Sequence, residues 1–329
     1  MLTREAVSTK SVLAAIVVVG VVAVAGVTLL SDGDTGAAVN QVPAGADTVV
    51  RLDMTITNDR TTQILALAGG ASIPAGDADN ASQFGATIRN RTGIDPRPAE
   101  ELVVFGVGNE STPTNTSYVG AILHTDAETA TAVAGLQNAT GAGYAERTVD
   151  GQTVYAPTNR SGYWIGVIGE GQLVFARARA PVTDTLNVTA GDAQRFDGQL
   201  RTAYDGTPNG TVRFATTSPE RLLPANAGFL TNVQLYRDLR SVGGSYYIES
   251  GRTGIELQLR ANNDANARSV AQAINGTVAV LPSYVENETA ADAVRAVHVS
   301  QQGSTVTVSY EAPFGEFEQV IRYLFGTGL

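Results

Sequence analysis

Cysteine is absent from this chain, which removes disulfide staples, thiolate metal sites, cysteine nucleophiles and a lipid-modified cysteine anchor. Lysine is almost absent: Lys10 is the only one among 22 basic residues, so no GxxxxGK phosphate loop exists downstream of it. Two histidines, His124 and His298, leave little scope for imidazole chemistry, and no Gly-x-Ser-x-Gly elbow occurs. Basic charge is in deficit. The net charge is −10, and the part beyond residue 30 carries 20 basic against 31 acidic residues. Such a surface repels DNA and anionic lipid head groups, so nucleic acid is excluded as a partner class.

Acidic excess, missing lysine and abundant Ala, Gly, Val and Thr resemble the proteins of salt-loving archaea. In molar salt the screening length is about 3 Å, so self-repulsion costs such a chain little. A high-GC genome, as in actinobacteria, gives the same bias and remains an alternative.

Long apolar runs are scarce too, with one exception. Ser11–Leu30 (SVLAAIVVVGVVAVAGVTLL) carries no charge, and a helix of that length spans about 30 Å, the hydrocarbon thickness of a bilayer. Arg4 and Lys10 precede it; Asp32 and Asp34 follow, with no basic residue until Arg51. The positive-inside rule keeps residues 1–10 cytoplasmic and exports the rest. A cleaved signal peptide is the rival reading, but its apolar core usually has about 7–15 residues. The run therefore reads as an uncleaved transmembrane anchor, with the lipid bilayer as its partner, and residues 31–42 read as a polar tether.

Ten of the seventeen asparagines stand in the triplet Asn-X-Ser/Thr without proline in the middle: Asn80, Asn90, Asn109, Asn115, Asn138, Asn159, Asn187, Asn209, Asn275 and Asn287. Chance would place about three there, because serine and threonine make up roughly a sixth of the chain. All ten lie beyond the apolar run. Each is a candidate N-glycosylation acceptor, and an occupied acceptor must face solvent on the exported side.

Short strands and helices alternate through the exported part. Strands are predicted at Thr48–Met54, Leu102–Val107, Tyr118–His124 and Thr211–Thr216, and helices at Arg60–Ala68, Ala81–Arg89 and around Ala193–Tyr204. Asp126 is placed to cap a further helix. Asp150-Gly151 and Glu170-Gly171 mark two hairpins, the first with the type I′ signature. Ile255, Leu257 and Leu259, then Val306, Val308 and Tyr310, alternate with polar residues at the period of a half-buried strand. Phe314, Phe317, Val320, Ile321 and Leu324 form one face of a last helix.

The second half echoes the first. GAILHTDAETATAVAGL at Gly120–Leu136 resembles IELQLRANNDANARSVAQAI at Ile255–Ile274, each a strand entering a helix at an aspartate, Asp126 or Asp264. TVDGQTVYAP at 148–157 resembles SQQGSTVTVSYEAP at 300–313, and VVRLDMTI at 49–56 loosely matches TVRFATTS at 211–218. The fold class expected is α+β: two related β-α-β-β modules, 43–208 and 209–329, of mainly antiparallel sheet with helices on one face, preceded by one transmembrane helix.

Chemistry-bearing constellations are thin. His124 and Asp126 form a His-x-Asp pair, but the simpler role of Asp126 is capping, and His298 reads as exposed. Glu100/Glu101 and Glu316/Glu318 supply adjacent carboxylates of the type glycoside hydrolysis uses. Trp164, Tyr246 and Tyr247 read as packing aromatics rather than a sugar platform. The pairs Gly106/Gly108 and Gly169/Gly171 lack the third glycine and the strand-to-helix junction of a phosphate site. No residue is assigned a catalytic, cofactor-binding or metal-ligating role, and no cofactor is called for.

VPAGADTVVRLDM (residues 42–54), TGIDPRPAEELVVFG, HTDAETATAVAGLQNA, VDGQTVYAP and GEGQLVFAR together resemble a family of membrane-anchored extracytoplasmic proteins classed as a domain of unknown function, here in a haloarchaeal form. The resemblance implies a repeated α+β body outside the membrane and brings no catalytic residues. The function expected is a single-pass cell-surface glycoprotein with a non-enzymatic binding or structural domain, meeting a cell-envelope protein or glycan partner. A cell-envelope hydrolase using paired carboxylates and a solute-binding or adhesion module are the alternatives.

Overall fold

The computed structural model describes residues 38–53, 99–107, 118–159, 162–219, 237–249, 251–285 and 287–325. Among these the chain is α+β, with twelve strands in antiparallel pairs and six α-helices. The expected tail 1–10, the membrane span 11–30 and the helices at 60–68 and 81–89 lie outside the described residues. No helix among the described residues is long and apolar enough to cross a membrane. The described residues up to Arg201 form one compact unit, and those from Thr202 onward form another.

In the first unit β1 (Thr48–Asp53), β2 (Ala99–Gly106) and β3 (Val119–Thr125) pair in succession. Helix α1 (Thr129–Thr140) follows. Two hairpins come next, β4 (Tyr144–Val149) with β5 (Gln152–Pro157) and β6 (Trp164–Gly169) with β7 (Gln172–Ala176). Helix α2 (Arg179–Ala190) then stops at Gly191, whose φ of 83° ends the turn. The strand order is β1-β2-β3-β7-β6-β5-β4. Asp150 and Gly151 both take positive φ, 51° and 79°, as a type I′ turn requires.

Both faces of this unit's sheet are covered by helices. Ile165 and Leu173 pack with Ala132, Val133 and Leu136 of α1. On the opposite face a Cβ at Gly166 would lie 2.8 Å from Val182 and 2.9 Å from Leu186 of α2. The expectation of helices on one face is therefore corrected here. The physical reason lies in the β6–β7 hairpin, where Ile165 and Leu173 on one face and Val174 on the other are all buried, so neither face is left for water.

Residues 38–42, read from the sequence as the end of a polar tether, are packed against the first unit. Residues 38–41 form a 3-10 turn, and Ala38, Val39 and Val42 are buried. Phe196 N–H donates to the Val42 carbonyl at 2.8 Å, and Ala44 N–H donates to Gln194 O at 3.1 Å. Arg195 and Arg201 both donate to Asn40 Oδ1. Small residues here fill a crevice instead of solvating a linker.

Helix α3 (Gly198–Asp205) begins in the first unit and ends in the second, where β8 (Val212–Thr216), β9 (Leu239–Glu249) and β10 (Arg252–Ala261) follow. Next come α4 (Asp264–Val280), a 3-10 turn at Leu281–Tyr284 and α5 (Glu288–Arg295). The hairpin β11 (His298–Gln302) and β12 (Thr305–Pro313) precedes α6 (Phe314–Phe325). The order is β11-β12-β10-β9-β8. The predicted alternation holds: Ile255, Leu257 and Leu259 stand opposite Tyr310, Val308 and Val306. Phe317 of α6 stacks on Tyr310 with centroids 6.0 Å apart and meets Tyr246 at 5.8 Å.

Helix starts differ from the predicted caps. Strand β3 runs through Thr125, so Asp126 lies in the following turn; Thr125 Oγ1 accepts from Ala127 N–H, and α1 begins at Thr129 without a side-chain cap. Asp264 is the first residue of α4, while Asn263 accepts from Asn266 N–H at 2.9 Å and caps it. The helix expected around 193–204 is confined to 198–205.

Three aromatic rings lie over the glycine directly opposite on the neighbouring strand: Phe105 over Gly120, Phe214 over Gly244 and Tyr247 over Gly254. A Cβ at Gly244 would fall 2.2 Å from the Phe214 ring and 2.8 Å from Leu257 Cδ2. Gly244→Ala is therefore expected to lower stability by about 1–3 kcal/mol in chemical denaturation. Adding Phe214→Leu should recover part of that loss, whereas a wild-type midpoint for Gly244→Ala would refute the close approach.

Candidate functional site: the buried ionic row and the acceptor asparagines

Four adjacent strands of the first unit bring a polar side chain to the same rung. Asp53 of β1 is opposite Glu101 of β2, Glu101 is opposite His124 of β3, and His124 is opposite Gln172 of β7. Opposed residues share a face, and Arg51, two residues before Asp53, shares it too. Arg51 Nε donates to Glu101 Oε1 at 2.7 Å, and its Nη2 lies 4.0 Å from Asp53 Oδ2. Asp53 is 0% and Glu101 1% exposed. The buried 3-10 turn roofs the row: Gln41 Nε2 donates to Gln172 Oε1 at 3.0 Å, and the Ala38 N–H bonds the Glu101 carboxylate.

Burial pushes the Glu101 carboxyl above its ordinary 4.5, against the pull of the Arg51 hydrogen bond and charge, the Ala38 N–H and the charge of His124. A raised carboxyl in a cleft is an acid-base candidate. This one lies in no cleft, being closed in by its neighbours and paired with a guanidinium. Its chemistry is that of a clamp: the Arg51 guanidinium bonds Glu101 and lies 4.0 Å from Asp53, and the Ala38 N–H ties the turn at 38–41 to the same Glu101 carboxylate. At the opposite end of β3, the Tyr118 hydroxyl donates to Asp184 Oδ2 at 2.7 Å and ties α2 to the start of the strand; burial and then Asp184 raise the phenol.

The residues singled out from sequence are scattered. His124 is half-buried, with Nδ1 3.4 Å from Glu100 Oε2, a contact that accompanies the register shift between Ala99 and Glu101. Its expected partner Asp126 is exposed in the turn beyond the strand. Glu100 and Glu101 thus serve different partners, His124 and Arg51, instead of a shared substrate position. His298 is exposed on β11, and Glu316 and Glu318 lie on α6. Trp164 has the Arg179 guanidinium 5.9 Å from its ring, and Tyr246 packs in the core. Gly106, Gly169 and Gly171 lie in strands or a hairpin turn; Gly108 lies outside the described residues. Among the described residues no cluster of three or more His, Asp or Glu is arranged to hold a metal. Arg51, Asp53 and the turn at 38–41 carry the row's geometry, and sequence reasoning assigned them no such part.

Of the acceptor asparagines, Asn80, Asn90, Asn109 and Asn115 lie outside the described residues. Asn138, Asn159, Asn209, Asn275 and Asn287 are exposed, and Asn187 on α2 is half-buried. Asn138 and Asn275 project from helices. Asn209 Oδ1 accepts from Arg213 Nη1, and Asn287 Oδ1 caps α5 by accepting from Ala290 N–H at 2.9 Å. In Asn159 both ends of the amide are engaged, with Gly162 N–H and the Gly141 carbonyl.

No protein-family model matches this chain, and no curated protein matches it. Among solved structures it is similar to crystal form III of TP0453, with a TM-score of 0.50 at 10% identity over 88% of this chain and 99% of that one. Crystal form IV gives 0.46 at 11% identity over 87% and 99%, and crystal form I gives 0.44 at 11% over 88% and 98%. At such identity the likeness to form III concerns the fold alone.

Arg51→Leu removes the guanidinium that bonds the buried Glu101 carboxylate and lies 4.0 Å from the buried Asp53. The expected loss at neutral pH is about 3–5 kcal/mol, measured by denaturation at fixed salt. Because the folded-state pKa of Glu101 is raised, its contribution to stability is full below 4.5 and fades as pH climbs through the folded value. The stability of the wild type relative to Glu101→Gln should then grow as pH falls from neutral toward 4.5. A flat or shrinking difference would count against a raised carboxyl.

Proposed function

We propose that this chain is a single-pass cell-surface glycoprotein, anchored through residues 11–30, whose exported body binds or supports other envelope components without catalysing a reaction. The observation that carries the reading is the placement of the acceptors: of the six described, five are exposed and the sixth is half-buried. An acceptor set crowded into a core would have spoken against it. The use of Glu101 as a clamp supports a structural over a hydrolytic role, since its carboxylate meets Arg51 and not solvent.

We further propose that the two units derive from one ancestral unit, wider than the β-α-β-β repeat read from the sequence. In each, three strands pair in succession, a helical crossover follows, and the second strand of a hairpin returns beside the third strand. On this scheme β1, β2 and β3 correspond to β8, β9 and β10, and β6–β7 to β11–β12. The hairpin β4–β5 is then an insertion, although its own sequence is the one that resembles β11–β12. Phe105 over Gly120 and Tyr247 over Gly254 occupy corresponding strand pairs, β2/β3 and β9/β10, which supports the scheme. The last helices do not correspond fully. α2 packs on the sheet face away from α1, whereas α6, α5 and the 3-10 turn after α4 join one cluster through Val320, Val294 and Leu281.

Membrane fractionation followed by glycopeptide mass spectrometry on the natively produced protein tests the reading. The protein is expected in the membrane fraction, with high occupancy at Asn138, Asn209, Asn275 and Asn287 and the lowest at Asn187. A protein free of glycan at every acceptor, or one released from the membrane by salt alone, would overturn it.

A further inference from the structure

Among the described residues the most exposed large apolar side chain is Tyr284, at 65%, and Val280, four residues earlier, is next at 54%. Both stand on a rigid support. Leu281 between them is 5% exposed and packs with Ala293, Val294 and Val320, so the 3-10 turn is pinned from below. The Ser283 hydroxyl donates to Val280 O at 2.6 Å, and Leu281 N–H continues the α4 ladder to Thr277 O. The turn therefore holds an aromatic ring and a valine out toward water, a cost in free energy unless something covers them.

Three residues after Tyr284 stands the acceptor Asn287. Its orientation is also fixed: Oδ1 accepts from Ala290 N–H as the cap of α5, so Nδ2, the atom that a glycan takes, is directed away from the helix. An aromatic ring and a glycan attachment atom are thus held by adjoining elements three residues apart. The ring face of a pyranose carries C–H groups and packs on a tyrosine ring as another apolar face does.

We propose that the glycan on Asn287 folds back over this projection, with its first sugar stacked on Tyr284 and Val280, and so forms part of the packed structure. The inference rests on the surface-glycoprotein reading above. The linkage forms between Nδ2 and the anomeric carbon of the first sugar as that carbon's bond to the phosphate of a lipid-linked oligosaccharide donor breaks. One amide proton is released, and the phosphate leaves with the lipid. Oδ1 keeps its lone pairs, so the cap to Ala290 survives modification.

The test uses the full chain, produced in a host that glycosylates the wild type, and compares thermal midpoints before and after enzymatic or chemical removal of the glycans. Thr289→Ala deletes the acceptor triplet yet leaves the Asn287 cap in place, and Thr289→Ser preserves the triplet. Expected results are a midpoint a few degrees lower for Thr289→Ala, none of that loss for Thr289→Ser, and a comparable loss for Tyr284→Ala that disappears once glycans are removed. The double variant Tyr284→Ala/Thr289→Ala should fall no further than either single one. Thr277→Ala, which deletes the Asn275 acceptor, should leave the Tyr284 effect unchanged. In the NMR spectrum of the Asn287 glycopeptide region in the folded protein, protons of the first sugar should be shifted upfield by the ring and return on Tyr284→Ala. A Tyr284→Ala effect that is equal with and without glycan, or additive with Thr289→Ala, overturns the proposal. So does an empty Asn287 in a protein glycosylated elsewhere, a result that leaves the wider reading standing; glycan at no acceptor removes both.

Discussion

Where glycine stands opposite phenylalanine or tyrosine in an antiparallel pair, the ring can lie flat on the neighbouring backbone, and that is the contact from which both units are built. Phe105 covers Gly120 in the first unit; Phe214 covers Gly244 and Tyr247 covers Gly254 in the second. With aromatics only 6% of the chain and no cysteine to brace it, each ring has to bury much of its area against a wide stretch of strand. The glycines make that possible at a cost in strand propensity, which the ring offsets. Other side chains follow from this arrangement: Gly244 leaves Leu257 room beside Phe214, and Phe105 lies at the core end of a strand whose other end carries Glu101.

That second end explains the ionic row. Once β2 is buried on both faces, a charged residue on it must be paired or be neutral. Arg51 answers for Glu101 directly and lies near Asp53, and the turn at 38–41 completes the enclosure with a backbone N–H and a glutamine. A buried pair of this kind adds little net stability over apolar residues but tolerates no half measures, because removing one partner strands the other. It therefore fixes register between β1 and β2 and fixes where the chain enters the body.

Much of the strand and turn pattern is written locally. Ile255, Leu257 and Leu259 alternate because their face of β10 is buried while Glu256, Gln258 and Arg260 on the other are only partly covered, and Asp150-Gly151 turns because both residues accept positive φ. What the sequence conceals is burial from two sides. In VVRLD, Arg51 and Asp53 alternate with Val50 and Leu52 as they would on a half-exposed strand, and only the neighbours in space show that their face is closed as well. The same limit hides the seat of Ala38–Val42, whose small residues look like a linker until a crevice receives them. Capping fails by one or two positions for a related reason: several polar residues cluster at each helix start, and Asn263 wins over Asp264 on geometry that spacing alone does not contain. Likewise, motif similarity pairs β4–β5 with β11–β12, while the sheet order sets β6–β7 in that place.

The charge pattern and the acceptors address one physical problem from two sides. A protein with small apolar residues, no disulfides and a net charge of −10 depends on solvent conditions that keep its surface hydrated without unfolding its core. Carboxylates bind water and cations strongly and are screened within about 3 Å in molar salt; glycans at the acceptors, on the reading proposed above, would add neutral hydration that salt does not screen. The acceptor asparagines are not idle surface positions. Asn287 caps α5, Asn209 receives Arg213, and Asn159 bridges Gly141 and Gly162, each through a side-chain amide whose oxygen remains available after the nitrogen is modified. Using the oxygen for the fold and the nitrogen for a glycan would let one residue serve both where the nitrogen is not already bonded; the Asn287 bond to the fold runs through its oxygen, whereas the Asn159 nitrogen already donates to Gly141.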